Sequence, residues 1–187
     1  MRIISGSFKG KKILIPNDDK TRPLKDLTKE SIFNIIKHSN KFKVSIENST
    51  VLDLFSGVGS FGLECISRGA KHVTFIENYV GVLPILKKNL SNICITENYE
   101  IVEKSILDGI VFIGEAKKFN IIFLDPPYKD KNLRKILLDI YKKEILYKDT
   151  IIIIHRHKKE KDLYPENFKV LDEKNYGISK IIFGKLN

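Results

Sequence analysis

The sequence predicts an α/β fold, a mostly parallel sheet with helices on both faces, and three observations carry that prediction. Between residues 51 and 154, apolar runs of strand length alternate with stretches of helical spacing, as parallel strands joined by crossover helices do. The run at 121–124 is continuously apolar, the mark of a strand buried on both faces. The tail holds two apolar stretches around Asn175-Tyr176-Gly177 with no helical pattern between them, which predicts two strands joined by a turn.

In chain order, residues 2–15 carry Ile3-Ile4 and Ile13-Leu14-Ile15, separated by Gly6, Gly10 and three lysines, and predict a small hairpin. Pro16, Asn17-Asp18-Asp19 and Pro23 mark a loop. From Thr28, an N-cap candidate, the spacing of Ile32, Phe33, Ile35 and Ile36 predicts a helix. Strands are expected at 51–55, 72–76, 100–102, 121–124 and 150–154, and helices at 60–68, 79–90, 105–113 and 132–143. The tail strands fall at 168–170 and 178–183. Residues 1–43 form an N-terminal hairpin and helix extension, and residues 44–187 the main domain.

With 187 residues, 42% of them hydrophobic, the chain can bury roughly 70% of its unfolded surface, which excludes general disorder. Cys65 and Cys94, without Cys-x-x-Cys spacing, read as free thiols in a reducing compartment. The start, Met1-Arg2-Ile3-Ile4-Ser5-Gly6, lacks the apolar stretch of a signal peptide, and no run is long enough to span a bilayer. A cytoplasmic protein with no membrane partner is expected, acting as a monomer.

The net charge is +10, and 28 of the 33 basic residues are Lys. Compositional bias alone would spread that charge evenly. Residues 1–43 instead hold 11 basic and 4 acidic groups (+7), residues 44–128 hold 7 and 10 (−3), and residues 129–187 hold 15 and 9 (+6). Basic flanks around an acidic centre point to a polyanionic partner.

Gly57-Val58-Gly59-Ser60-Phe61-Gly62 fits G-x-G-x-x-G after a predicted strand, and Glu77 ends the next strand. By template this is a dinucleotide fingerprint. Asp53, four residues before Gly57, would repel a pyrophosphate at that helix N-terminus. It would attract the ammonium and sulfonium of S-adenosylmethionine, while Glu77 accepts from the ribose hydroxyls. No G-x-x-x-x-G-K-[ST] sequence is present, which excludes a P-loop.

Asp125-Pro126-Pro127-Tyr128 follows the buried strand, at the carboxyl end where open α/β sheets bind ligands. An exocyclic amino group on a nucleobase is a poor nucleophile because its lone pair is delocalised into the ring. To attack a methyl group it needs acceptors aimed at its N–H bonds. Asp125 supplies one and the Pro126 carbonyl another; the prolines add no competing donor, and Tyr128 offers a stacking face worth roughly 1–3 kcal/mol. This chemistry requires no metal.

Together, Asp53-Leu54-Phe55-Ser56-Gly57-Val58-Gly59 and Asp125-Pro126-Pro127-Tyr128 resemble a class I S-adenosylmethionine-dependent amino-methyltransferase. Arg2-Ile3-Ile4-Ser5-Gly6, Lys9-Gly10-Lys11-Lys12-Ile13, Arg22-Pro23, Glu30-Ser31-Ile32-Phe33-Asn34, Gly62-Leu63-Glu64 and Ser67-Arg68-Gly69-Ala70 extend the match. They are similar to the bacterial ribosomal small-subunit methyltransferase D family, which methylates a guanine N2 in 16S rRNA. The resemblance implies a seven-stranded, Rossmann-like class I sheet, an N-terminal extension touching RNA, and an assembling small ribosomal subunit as substrate. It implies Asp53, Phe55, Ser56, Gly57 and Gly59 as the cofactor loop, Glu77 as the ribose clamp, and Asp125, Pro126, Pro127 and Tyr128 as the catalytic segment. Arg2, Lys12 and Arg22 would meet RNA.

Three segments depart from the family's pattern. Leu24-Lys25-Asp26-Leu27-Thr28-Lys29-Glu30 stands where Thr-Thr-Asp-Arg-Val-Arg-Glu is usual, and Ser105 takes the adenine-side position commonly held by Asp or Asn. His155-Arg156-His157 stands where the fifth strand commonly ends in Glu; with no further Cys or His clustered beside it, it reads as an exposed basic strand end near RNA rather than a metal site. An adenine N6 DNA methyltransferase shares the Asp-Pro-Pro-Tyr chemistry but usually needs a target-reading segment for which this length leaves little room. An inactive RNA-binding assembly module would not need the acceptor at Asp125.

Overall fold

The structure is a computed structural model and describes residues 1–17, 24–93, 98–110 and 118–187. Arg22 and Cys94 lie outside the described residues. The described elements are α1 (Asp26–His38), β1 (Thr50–Leu54), α2 (Ser60–Ser67), β2 (His72–Ile76), α3 (Leu83–Asn92), β3 (Tyr99–Val102), β4 (Phe119–Leu124), α4 (Leu133–Lys142), β5 (Leu146–His157), β6 (Phe168–Tyr176) and β7 (Ser179–Leu186). A short 3-10 helix spans Ile106–Asp108. None of the described helices is long and apolar enough to cross a membrane.

The seven strands form one sheet in the order β3-β2-β1-β4-β5-β7-β6. The first five are parallel, and β7 runs antiparallel to both β5 and β6. The order reverses between β1 and β4, so their carboxyl ends open a crevice where the chain leaves for opposite sides of the sheet. Leu54 pairs with Leu124, and the Asp125 N–H donates to the Leu54 carbonyl at 3.3 Å. The exits of β1 and β4 therefore lie side by side.

Period-two alternation divides each central strand between two cores. Val51, Phe123, Ile151 and Ile153 face α2, whereas Leu52, Leu54, Leu124, Ile152 and Ile154 face α4. α2 is buried along its whole length, and its Gly62 has no room for a Cβ, which would stand 2.3 Å from the Phe75 ring. Phe33 of α1, Phe61 of α2 and Phe123 of β4 stack at centroid distances of 5.2 and 4.1 Å, which carries the core outward to α1.

The N-terminal arm belongs to that core. Ile3, Ile13 and Leu24 are buried in the cluster that holds α1 and α2. The predicted hairpin is reduced to one antiparallel bridge, Arg2 to Lys12. Backbone bonds within the arm, such as the Ile3 N–H to the Lys11 carbonyl at 2.9 Å, are joined by bonds to helices: Glu64 accepts from the N–H of Ile4 (2.8 Å) and Ser5 (3.0 Å), and the Lys29 ammonium donates to the Arg2 carbonyl (2.7 Å). α1 begins at Asp26 without a side-chain cap, so Thr28 is a buried first-turn residue rather than the N-cap. α3 begins at Leu83, not at residue 79, because Glu77 draws the N–H groups of Asn78 and Tyr79 back to itself and Pro84 suits a first turn. β5 extends well beyond both ends of the predicted run.

Candidate active site

Three acidic side chains converge at the crevice. Asp53 lies on the α2 face of β1, 2% exposed, and its Oδ2 accepts from the Gly62 N–H at 3.0 Å. That bond satisfies one of the otherwise unpaired amides in the first turn of α2. Burial pushes the Asp53 carboxyl well above the ordinary range; the charges of Asp125 and Glu77 push it further, and the Gly62 N–H opposes them.

Glu77 closes the glycine loop onto the end of β2. Its Oε2 accepts from the Gly57 N–H at 2.7 Å, and its Oε1 accepts from Asn78 and Tyr79 at 2.8 Å each. Ser56 donates both its N–H (3.0 Å) and its hydroxyl (3.2 Å) to the Ile76 carbonyl. Phe55 sits between them at φ +60°, a left-handed conformation uncommon for a bulky residue. Gly57 (φ +55°) and Gly59 (φ +82°) complete the turn, and they differ in surroundings. A Cβ on Gly59 would stand 2.6 Å from Leu86, whereas one on Gly57 would meet no atom within 4 Å. Gly59 serves packing, and Gly57 borders open space.

Ser105 lies just beyond β3 on the same edge of the sheet. Its Oγ accepts from the Leu107 N–H at 3.2 Å and so caps the 3-10 helix, leaving the hydroxyl proton to donate.

Asp125 is held from β5. Leu124 pairs with Ile154, so Asp125, just past the end of β4, stands level with His155, still within β5, and His155 Nδ1 lies 2.8 Å from Asp125 Oδ1. Among the described residues, Asp125 Oδ2 and the Pro126 carbonyl make no hydrogen bond. Arg156 is buried; it donates to Asp162 from Nε and Nη2, to the Pro127 carbonyl from Nη1 (3.1 Å) and to the Asp130 carbonyl from Nη2 (2.8 Å). The Tyr128 ring meets His157 and His155 edge to face, with centroids 5.2 and 6.1 Å away.

The expectation that His155-Arg156-His157 is an exposed basic strand end fails for its first two residues. His155 is 5% and Arg156 1% exposed, because β5 continues as an inner strand between β4 and β7 and each side chain has a carboxylate partner. The triplet continues the apolar run of 151–154, but the pairing with β7 that buries it does not show in that local pattern. Asn89 was missed as well. This buried α3 residue donates from Nδ2 to the carbonyls of Leu14 and Val58, and its Oδ1 accepts from the Leu14 N–H, so it joins the arm to the glycine loop.

Arg2 and Lys12 are exposed on the solvent side of the arm while Ile3 and Ile13 point inward. Two cations directly across an antiparallel bridge repel each other, a cost that an anionic partner would remove.

The family described as conserved hypothetical protein 95 matches the chain over residues 1–185. Ribosomal RNA small subunit methyltransferase D of Haemophilus influenzae is 34% identical over 179 residues, covering 95% of this chain and 90% of its own length. The protein of the same name from Buchnera aphidicola subsp. Acyrthosiphon pisum is 33% identical, covering 92% of this chain and 86% of its own. The solved structure of Escherichia coli yhhF, assigned as a methyltransferase, aligns with a TM-score of 0.81 and 27% identity over 100% of this chain and 97% of that one. The family match and the yhhF alignment take in the arm, the glycine loop and the Asp125 segment alike, and the strand order is that of class I methyltransferases: the chain belongs to the ribosomal RNA small subunit methyltransferase D family.

Proposed function

We propose that the chain transfers a methyl group from S-adenosylmethionine to the exocyclic N2 of a guanine in 16S rRNA, with an assembling small ribosomal subunit as substrate. The observation that carries this reading is Asp125 at the switch point, one carboxylate oxygen fixed by His155 and the other unbonded among the described residues.

The crevice fits the cofactor. Glu77 and Asp125, joined by Asp53 once a cation draws it into its ionised form, make an anionic floor for a cationic ligand, Gly57 leaves the space a side chain would fill, and Glu77 accepts from a ribose. Phe55, Ser56 and Gly59 shape the loop, and the Ser105 hydroxyl is the adenine-side group. Bound S-adenosylmethionine supplies a methyl group already activated by its sulfonium. The protein's part is to position the amino group and to accept from it. Asp125 Oδ2 accepts from one N–H and takes the proton lost as the new C–N bond forms and the S–CH3 bond breaks, its electron pair staying on sulfur as a neutral thioether; the Pro126 carbonyl accepts from the other N–H. Tyr128, braced by His157, stacks on the extruded base. Arg156 fixes the turn between Pro127 and Asp130 so that these acceptors hold their spacing. Arg2 and Lys12, with Arg22, meet RNA phosphates, and the extension of residues 1–43 acts with the domain of 44–187 as the RNA-facing part.

The test is methylation of small subunits from a strain deleted for the gene, followed by mapping of the modified nucleotide. Asp125→Ala lowers the rate about a hundred-fold or more and leaves S-adenosylmethionine affinity within a few-fold of wild type. Full activity in that variant, or a methyl group found elsewhere than guanine N2, refutes the assignment.

A further inference from the structure

We propose that His155 is a positioning residue for methyl transfer, orienting Asp125 through Nδ1 while Ser179 fixes the imidazole through Nε2. The inference rests on the reading of Asp125 as the amino-group acceptor.

Alternation places four polar side chains on one face of the sheet along a diagonal: Asp53 pairs with Phe123, Asp125 stands level with His155, and Ser179 pairs with His157. Asp53 follows Val51 on β1, Asp125 follows Phe123 on β4, His155 follows Ile153 on β5, and Ser179 precedes Ile181 on β7; those apolar neighbours all belong to the core on the α2 face. Four neighbouring strands thus end their apolar rows in polar groups on the same face. The last three are joined, Asp125 Oδ1 to His155 Nδ1 at 2.8 Å and His155 Nε2 to Ser179 Oγ at 2.9 Å. His155 and Ser179 are both buried. An imidazole in that position would be costly without partners at both nitrogens, and it has them.

The carboxylate determines the tautomer. Asp125 Oδ1 is an acceptor, so Nδ1 carries the proton. Nε2 then accepts from the Ser179 hydroxyl when the ring is neutral, and donates to it when the ring is charged, because that hydroxyl can serve either way. In both states Oδ1 is occupied and the carboxylate plane is fixed, leaving Oδ2 for the amino group.

The groups facing His155 are Asp125 from the β4 exit, Ser179 from β7 and the Tyr128 ring from the following loop. Asp53 and Glu77 lie beyond Asp125. The Arg156 guanidinium is committed to Asp162 and the loop carbonyls, and His157 to Tyr128.

Three variants test this on undermethylated small subunits: His155→Ala, His155→Asn and Asp125→Asn. The Asn side chain offers an N–H where Nδ1 stands. His155→Ala lowers kcat about ten-fold or more, with S-adenosylmethionine affinity and the KM for the particle unchanged. His155→Asn restores most of the rate. If His155→Ala unfolds, the kcat of His155→Asn still decides. A wild-type kcat in His155→Ala, or a kcat in His155→Asn as low as that of Asp125→Asn, overturns the proposal. Asp125→Asn separates the two levels: if it stays fully active the acceptor reading itself fails, and if it is inactive while His155→Ala is normal only the positioning role falls.

Discussion

Asp53 is fixed by the fold and, in the proposed reading, also faces the ligand. Its carboxyl is buried against the Gly62 amide with two other carboxylates near, and is held well above the usual range by burial first and by those charges second. A carboxyl whose value is higher in the folded than in the unfolded chain favours folding at low pH. That contribution is fully present below the ordinary value of 3.8 and is lost as pH rises toward the folded value. Asp53→Asn keeps an oxygen for the Gly62 N–H and removes the ionisation. Thermal unfolding of this variant against wild type should show a difference in its favour that opens as pH rises and closes in acid. A cationic ligand beside Asp53 reverses the preference and draws the group into its ionised form. Calorimetry of S-adenosylmethionine binding in buffers of different ionisation enthalpy should therefore detect proton release in wild type, and less release with weaker affinity in Asp53→Asn. Equal proton release in the two proteins would remove Asp53 from the site.

At the scale of elements, the N-terminal arm is held by α1, α2 and α3 more than by its own pairing. Ser67 accepts from the Ser7 N–H at its carbonyl (2.8 Å) and from the Phe8 N–H at its hydroxyl (3.0 Å), and it donates that hydroxyl to the Ser5 carbonyl (2.6 Å). The approach is so close that a Cβ on Gly6 would stand 1.8 Å from the Ser67 carbonyl oxygen, at φ +86°. Asn89 ties the far end of the arm to Val58 in the glycine loop. Asn89→Ala leaves the half-buried Leu14 groups and the buried Val58 carbonyl unpaired, at about 1–3 kcal/mol. Denaturant titration should show that loss, and S-adenosylmethionine affinity should fall with it although Asn89 is not a proposed ligand. An unchanged affinity would mean that the arm and the glycine loop are not coupled. None of these arm contacts could be read from the sequence, because Glu64, Ser67 and Asn89 sit in helices and their partners are backbone groups far along the chain. The central strands were legible for the opposite reason: a strand buried on both faces is a largely apolar run, and Asp53 interrupts one while Glu77 and Asp125 each follow one. His155 lay between these cases. Its strand was foreseen and its burial was not, because burial depends on β7 closing over β5, a pairing that local pattern does not specify.

The whole molecule separates its charges by task. The acidic centre supplies the three carboxylates of the crevice, and the basic flanks remain for a polyanion. The arm joins the two, since Ile3 and Ile13 fix it to the core while Arg2 and Lys12, across one bridge, face outward. A partner held through phosphate contacts releases counterions on binding, so the logarithm of its affinity should fall linearly with the logarithm of salt concentration, by roughly 0.7–0.9 per phosphate neutralised. Filter binding of small-subunit RNA or particles over a salt series measures that slope. Arg2→Ala and Lys12→Ala should each flatten it by about one contact and weaken binding, with S-adenosylmethionine affinity unchanged because neither residue reaches the crevice. The double variant distinguishes direct phosphate contact from relief of their mutual repulsion. Two independent contacts give additive losses, whereas repulsion alone predicts a protein that is more stable to heat and binds RNA with the wild-type slope. The second outcome would move the RNA-binding face away from the arm and onto the basic C-terminal third.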